Sequence, residues 1–137
     1  MMTKAAAIGV AVTTVWMLGL QPARADLADG LVGTWEAALP SGVVEQLTLQ
    51  PLGANGEGLA HDRQAAGSQV AEKDGRWHIR TNPLMPAQAR TQLEIALIDP
   101  NWGRQDTALA ILELTGDNLM ICSVYLDSQC TTFRRAR

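Results

Sequence analysis

Between Leu31 and Arg135, turn-forming residues recur so often that no stretch is left for a long helix. Pro40-Ser41-Gly42, the run from Pro51 to Gly56, Lys73-Asp74-Gly75, the run from Asp99 to Gly103, and Gly116-Asp117-Asn118 all carry turn chemistry. The segments between them show the alternation of half-buried strands. Residues 31–36 form a first strand, and residues 43–50 a second with Val43, Glu45, Leu47 and Leu49 on one side. Residues 57–62 make a weaker third. The small, polar residues 64–68 suit a loop or a short helical turn. Residues 76–80 set Trp77 and Ile79 against His78, and residues 82–89, with Pro83 and Pro86, form a loop. Residues 91–98 group Leu93, Ile95 and Leu97 on one face. Residues 108–114 are nearly continuously apolar. Residues 119–125 return as a hairpin, and Leu126-Asp127-Ser128 turns the chain into a last strand, 129–135. The chain is therefore expected to be all-β: an antiparallel up-and-down meander of about eight strands. A barrel closes such a meander without leaving an exposed edge.

The amino terminus is expected to lie outside that fold. Residues 1–25 have the form of a secretory signal peptide: Lys4, an apolar run over residues 5–20, and the small-residue cleavage site Ala23-Arg24-Ala25. As a helix the run would reach only about 24 Å, short of a bilayer core. Cleavage leaves one domain, residues 26–137, with no membrane span and a periplasmic or secreted location. All 14 acidic residues fall in that domain against nine basic ones, a net charge of −5. This speaks against nucleic-acid binding, which needs a basic face.

Export also places Cys122 and Cys130, the two cysteines of the chain, in an oxidising compartment, where they are expected to pair. The loop so closed is worth about 2.5 kcal/mol in the chain-entropy model. Strand parity permits the bridge. If Cys122 opposes Cys130, then Leu119, Ile121 and Phe133 share the other, more apolar face. That face is the expected interior, and the disulfide is an outer staple.

Gly33-Thr34-Trp35 at the head of the meander resembles the G-x-W motif of lipocalins and related calycin barrels. Leu47-Thr48-Leu49, Gly75-Arg76-Trp77-His78-Ile79, the run from Leu112 to Leu119, and Phe133-Arg134-Arg135 fit the same pattern. Together they are similar to the small lipocalin-like domains of bacterial exported proteins. The resemblance implies that Trp35 packs at the closed end of the barrel against an arginine from the last strand, Arg134 or Arg135. Parity selects Arg135, which shares a side with Phe133. Such a pair is structural and contributes about 0.5–2 kcal/mol as a cation–π contact.

Chemistry-bearing motifs are scarce. No serine lies in G-x-S-x-G, and Gly53-Ala54-Asn55-Gly56-Glu57-Gly58 follows a strand without opening a helix, so it is a hairpin turn and not a phosphate loop. No cofactor is implied and an enzyme is not expected. His61 and His78, with Asp62 beside the first, are weak metal candidates because no tight spacing fixes their geometry. Trp102, among polar turn residues, is a candidate partner or barrel-mouth contact; the simpler expectation is that it folds back over the core. Two functions follow. One is a carrier of a small apolar ligand in the barrel, which needs a cavity of at least about 300 Å³. The other is a periplasmic interaction or inhibitor module with a filled barrel, acting through exposed apolar side chains in the loops 81–90 or 99–104.

Overall fold

The computed structural model describes residues 24–124 and 129–136. The expected signal segment up to residue 23 and the expected turn Leu126-Asp127-Ser128 lie outside the described residues. A short helix, α1 (Arg24–Leu31), leads into eight strands: β1 (Gly33–Ala38), β2 (Val44–Leu49), β3 (Gly58–Ala66), β4 (Gln69–Thr81), β5 (Thr91–Asp99), β6 (Gly103–Leu114), β7 (Asn118–Ser123) and β8 (Cys130–Arg135). Each strand pairs antiparallel with the next, and β8 returns to β1, so the meander closes into a barrel. The closing seam aligns Trp35 with Arg135 and Glu36 with Arg134. The Ala136 amide extends it by donating to the Thr34 carbonyl at 2.8 Å.

Alternation sorts the side chains as the sequence pattern requires. Trp35, Leu47, Leu49, Ala60, Trp77, Ile79, Leu93, Ile95, Leu119, Ile121 and Phe133 are buried in one cluster. Trp35 opposes Leu47, Trp77 opposes Ile95, and Leu119 opposes Phe133 across neighbouring strands. These pairs are the unit in which a sheet face gains stability. Cys122 opposes Cys130 on the outer face and the two form a disulfide. The bridge fastens β7 to β8 near the end of the barrel where β1 finishes and β2 begins.

Three segments differ from expectation. The first strand does not begin at Leu31. That residue ends α1, whose Leu27, Ala28 and Leu31 lie on one face, with Ala28 and Leu31 buried. Eight residues are too few for a stable isolated helix, so packing on the barrel floor holds it. Residues 64–68 are not a separate loop. β3 runs on to Ala66 and only Gly67-Ser68 turns, since Ala66 pairs with Gln69. Lys73-Asp74-Gly75 is not a turn but the middle of β4. There Gly75 serves close backbone approach: a Cβ on it would fall 1.8 Å from the Ala96 carbonyl oxygen of β5.

One end of the barrel is closed. α1, the loop 82–90 and the turn 115–117 all lie at this end. The other end carries the turns 39–43, 67–68 and 99–103. Leu31 is fully buried beneath the floor tryptophan Trp35. Leu31→Ala is expected to lower unfolding stability by about 2–5 kcal/mol, the usual cost of a core truncation, in a urea titration. A change within about 0.5 kcal/mol would show that α1 is not part of the folded core.

Candidate functional site

The closed end is built around Arg135. Its guanidinium lies 4.2 Å from the centroid of the Trp35 ring. Its Nη2 donates to the Gly30 carbonyl at 3.0 Å, its Nη1 to Val32 at 2.8 Å and its Nε to Gly116 at 2.7 Å. Trp35 Nε1 donates to the Leu31 carbonyl at 2.8 Å. The bonds to Gly30, Leu31 and Val32 satisfy carbonyls at the C-terminal end of α1, where a cation is also favoured by the helix dipole, and the bond to Gly116 ties in the β6–β7 turn. Gly33, with φ +131°, completes the arrangement: a Cβ there would meet Arg135 Nη1 at 2.5 Å. A recess of about 540 Å³ opens beside this network, between α1 and the β6–β7 turn, with Leu27, Ile111 and Leu114 in its wall; the Arg135 network itself holds the floor. Arg135→Lys keeps the charge but not the forked donors, so it is expected to lose most of what Arg135→Ala loses, about 2–4 kcal/mol by denaturant titration. Full retention of stability by the lysine variant would show that charge alone matters.

The open half is different. A cavity of about 360 Å³ lies inside the barrel above the packed floor. Its wall has six apolar side chains, Leu47, Ile95, Leu97, Leu109, Ile121 and Phe133, and six polar ones, Glu45, Asp62, Thr107, Ser123, Gln129 and Thr131. The interior is therefore filled only in its lower part, and it exceeds the volume that ligand binding requires. Leu47 and Asp62 pair on β2 and β3, in the cross-strand row that runs from Trp35 of the floor to Lys73.

Asp62 is the unusual member. It is 4% exposed, and its Oδ1 is buried without a hydrogen bond. Gln64 Nε2 offers Oδ2 only a long bond of 3.4 Å. Its direct cross-strand neighbour is Lys73, but the Lys73 ammonium turns to Gln105 Oε1 at 3.0 Å and Asp99 Oδ2 at 3.6 Å. Burial, followed by a side-chain hydrogen bond with the Glu45 carboxyl and by its charge, pushes Asp62 up to about 8 from its ordinary 3.8, against a smaller opposing pull from Lys73 and His61. A buried carboxyl on the wall of a cavity, with one oxygen that no donor reaches, is the strongest functional signal in the molecule. The sequence reading missed it as a site residue, taking Asp62 only as a neighbour of His61. Its parity with Ala60 on an alternating strand was the available clue.

The two histidines do not meet. His61 faces outward and bonds Asp74 through Nδ1 at 2.5 Å and Glu72 through Nε2 at 2.8 Å. His78 bonds Glu94 at 3.0 Å. Asp74, opposite His61, and His78 are four residues apart on β4, about 13 Å along the strand. No group of three or more metal-ligating side chains occurs among the described residues. The Asp74 bond, ahead of Glu72, raises His61 above its ordinary 6.5. Trp102 does not fold over the core: it is 82% exposed in the turn at the open end. Asp99 Oδ1 fixes that turn by accepting from the Asn101 and Trp102 amides at 2.7 and 3.1 Å.

Comparison with models of known families, with curated proteins and with solved structures finds no match.

Asp62 and His61 act on stability with the same sign. The folded state keeps the Asp62 proton up to about pH 8, whereas the unfolded chain loses it near pH 4, so stability falls as pH rises through that window. The raised His61 contributes fully below about pH 6.5, and that contribution is lost as pH rises through its folded value. The melting temperature is therefore expected to be higher at pH 5 than at pH 8. Asp62→Asn should raise it by several degrees at pH 8 and leave it nearly unchanged at pH 5. Equal melting shifts at both pH values would show that Asp62 is ionised in the fold.

Proposed function

We propose that this protein is an exported lipocalin-like carrier that holds a small, largely apolar ligand in the open half of its barrel. The observation behind this reading is the interior cavity of about 360 Å³, whose wall is half apolar and half polar side chains. The Trp35–Arg135 floor and the single meander support the lipocalin-like resemblance. The Cys122–Cys130 bridge suits an oxidising, non-cytoplasmic setting, and no helix among the described residues is long and apolar enough to cross a membrane.

Native mass spectrometry of the protein purified from its source tests the reading. A small molecule is expected to travel with it. Thr131→Trp, which places an indole in the cavity, is expected to release that molecule while the fold survives. A protein that carries nothing and binds no small amphiphile in calorimetry overturns the proposal.

A second reading, a module acting through its surface, draws on the exposure of Trp102 (82%) and Leu84 (92%) in the two loops where it requires apolar contacts. The two side chains sit at opposite ends of the barrel and form no single patch. Under this reading a photo-crosslinker at position 102 of the exported protein captures one protein partner stoichiometrically. Under the carrier reading it does not.

A further inference from the structure

We infer that the ligand is a small organic ammonium ion: an apolar body seated on Ile95, Ile121 and Phe133, with its cationic head bonded to the Asp62 carboxylate, whose Oδ1 no donor reaches in the empty protein. This inference rests on the carrier reading and specifies its ligand class.

The first support is the placement of the acid. Asp62 lines the cavity, is nineteen-twentieths buried or more, and has a carboxyl oxygen with no donor. A buried polar atom left unpaired in the empty protein is fulfilled when a complementary donor arrives. The second support is the sign of the charges that face it. Glu45 on β2 is a second acid on the same wall. Lys73 on β4, the cross-strand neighbour of Asp62, is held away by Asp99 and Gln105. His61, next along β3, points outward to Asp74 and Glu72. No cation closes on the Asp62 carboxyl, so once it ionises, near pH 8, an anionic ligand meets repulsion there. A neutral alcohol would meet one acceptor but no charge pairing. An ammonium group brings both the donors and the opposite charge.

The third support is size. The cavity of about 360 Å³ accepts about a dozen non-hydrogen atoms at ordinary packing density. That is room for an aryl or short alkyl group and a one- or two-carbon link to nitrogen. Since the head pairs with ionised Asp62, binding displaces the proton that Asp62 holds in the empty protein. The proton leaves to solvent as the ammonium takes its place, so affinity should rise with pH, by up to tenfold per unit, until about pH 8.

Three probes of matched shape make the test: phenethylamine, phenethyl alcohol and phenylacetate, titrated by calorimetry at pH 6, 7 and 8. Phenethylamine is expected to bind at least tenfold more tightly than the alcohol at pH 8, and phenylacetate most weakly. Only the amine should gain affinity with pH and release a proton, seen as a buffer-dependent heat. Asp62→Asn is expected to bring the amine down to the alcohol and abolish its pH dependence; Glu45→Gln should weaken the amine to a lesser degree. Comparable binding of all three probes, or an amine preference that survives Asp62→Asn, overturns the ammonium inference and leaves the carrier reading standing. Failure of every probe to bind overturns both.

Discussion

The contact between Arg135 and Trp35 organises the molecule because it joins segments from both ends of the chain. The guanidinium binds carbonyls at the end of α1, beside the start of β1 and in the β6–β7 turn, while resting on the indole of β1. It lies on the seam where β8 meets β1, the pairing that turns an open meander into a barrel. That seam is short, so the side-chain network does what a longer ladder does elsewhere. It also explains the glycine two residues before the tryptophan. A side chain at Gly33 would occupy the space of the guanidinium. The motif Gly33-Thr34-Trp35 is thus one half of a closure whose other half stands at the far end of the sequence.

A firmly held floor changes what the open half must do. The buried tryptophans, Leu31, Leu49, Leu93 and Leu119 supply the apolar burial low in the barrel. The upper interior is then free to carry polar groups that a small core could not otherwise tolerate. Asp62 is the clearest case: an acid whose ionisation the fold opposes, kept where a leucine would pack better. A residue that costs stability at neutral pH while facing an empty volume is easier to understand through what enters that volume than through the fold itself.

Much of the fold was legible because alternation survives from sequence to structure. Leu93, Ile95 and Leu97 face one way, Trp77 and Ile79 share a face, and the parity of Cys122 and Cys130 left Leu119, Ile121 and Phe133 inside. The failures have separate causes. Lys73-Asp74-Gly75 has the composition of a turn, yet its glycine answers to the proximity of β5, which no local pattern encodes. α1 is set by packing on the floor rather than by helix propensity, so Leu31 looked like the first strand residue. Trp102 is an apolar residue held out in solvent by an Asp99 turn, against the usual direction of burial. His61 and His78 lie on neighbouring strands, but their separation along the strand is set by register, which no local pattern encodes.

The candidate site was the least legible part, and the reason is physical. Asp62 looks in sequence like any polar residue on an alternating strand beside a histidine. Its significance comes from three things that only closure brings about. Leu47 and Trp35 lie on its row, Glu45 comes near it, and Lys73, its nominal cross-strand partner, is drawn away to the rim by Asp99. Asp99 therefore has two effects at once. It folds the turn that displays Trp102, and it holds the cation that would otherwise neutralise the cavity. The Cys122–Cys130 bridge pins β7 and β8 at the same end, beside the wall formed by Ile121, Thr131 and Phe133. The mouth is thus braced by a covalent link on one side and by a diverted ion pair on the other. An acid in such a cup has a proton and no protein cation for its partner, which is the condition for a ligand's charge to matter.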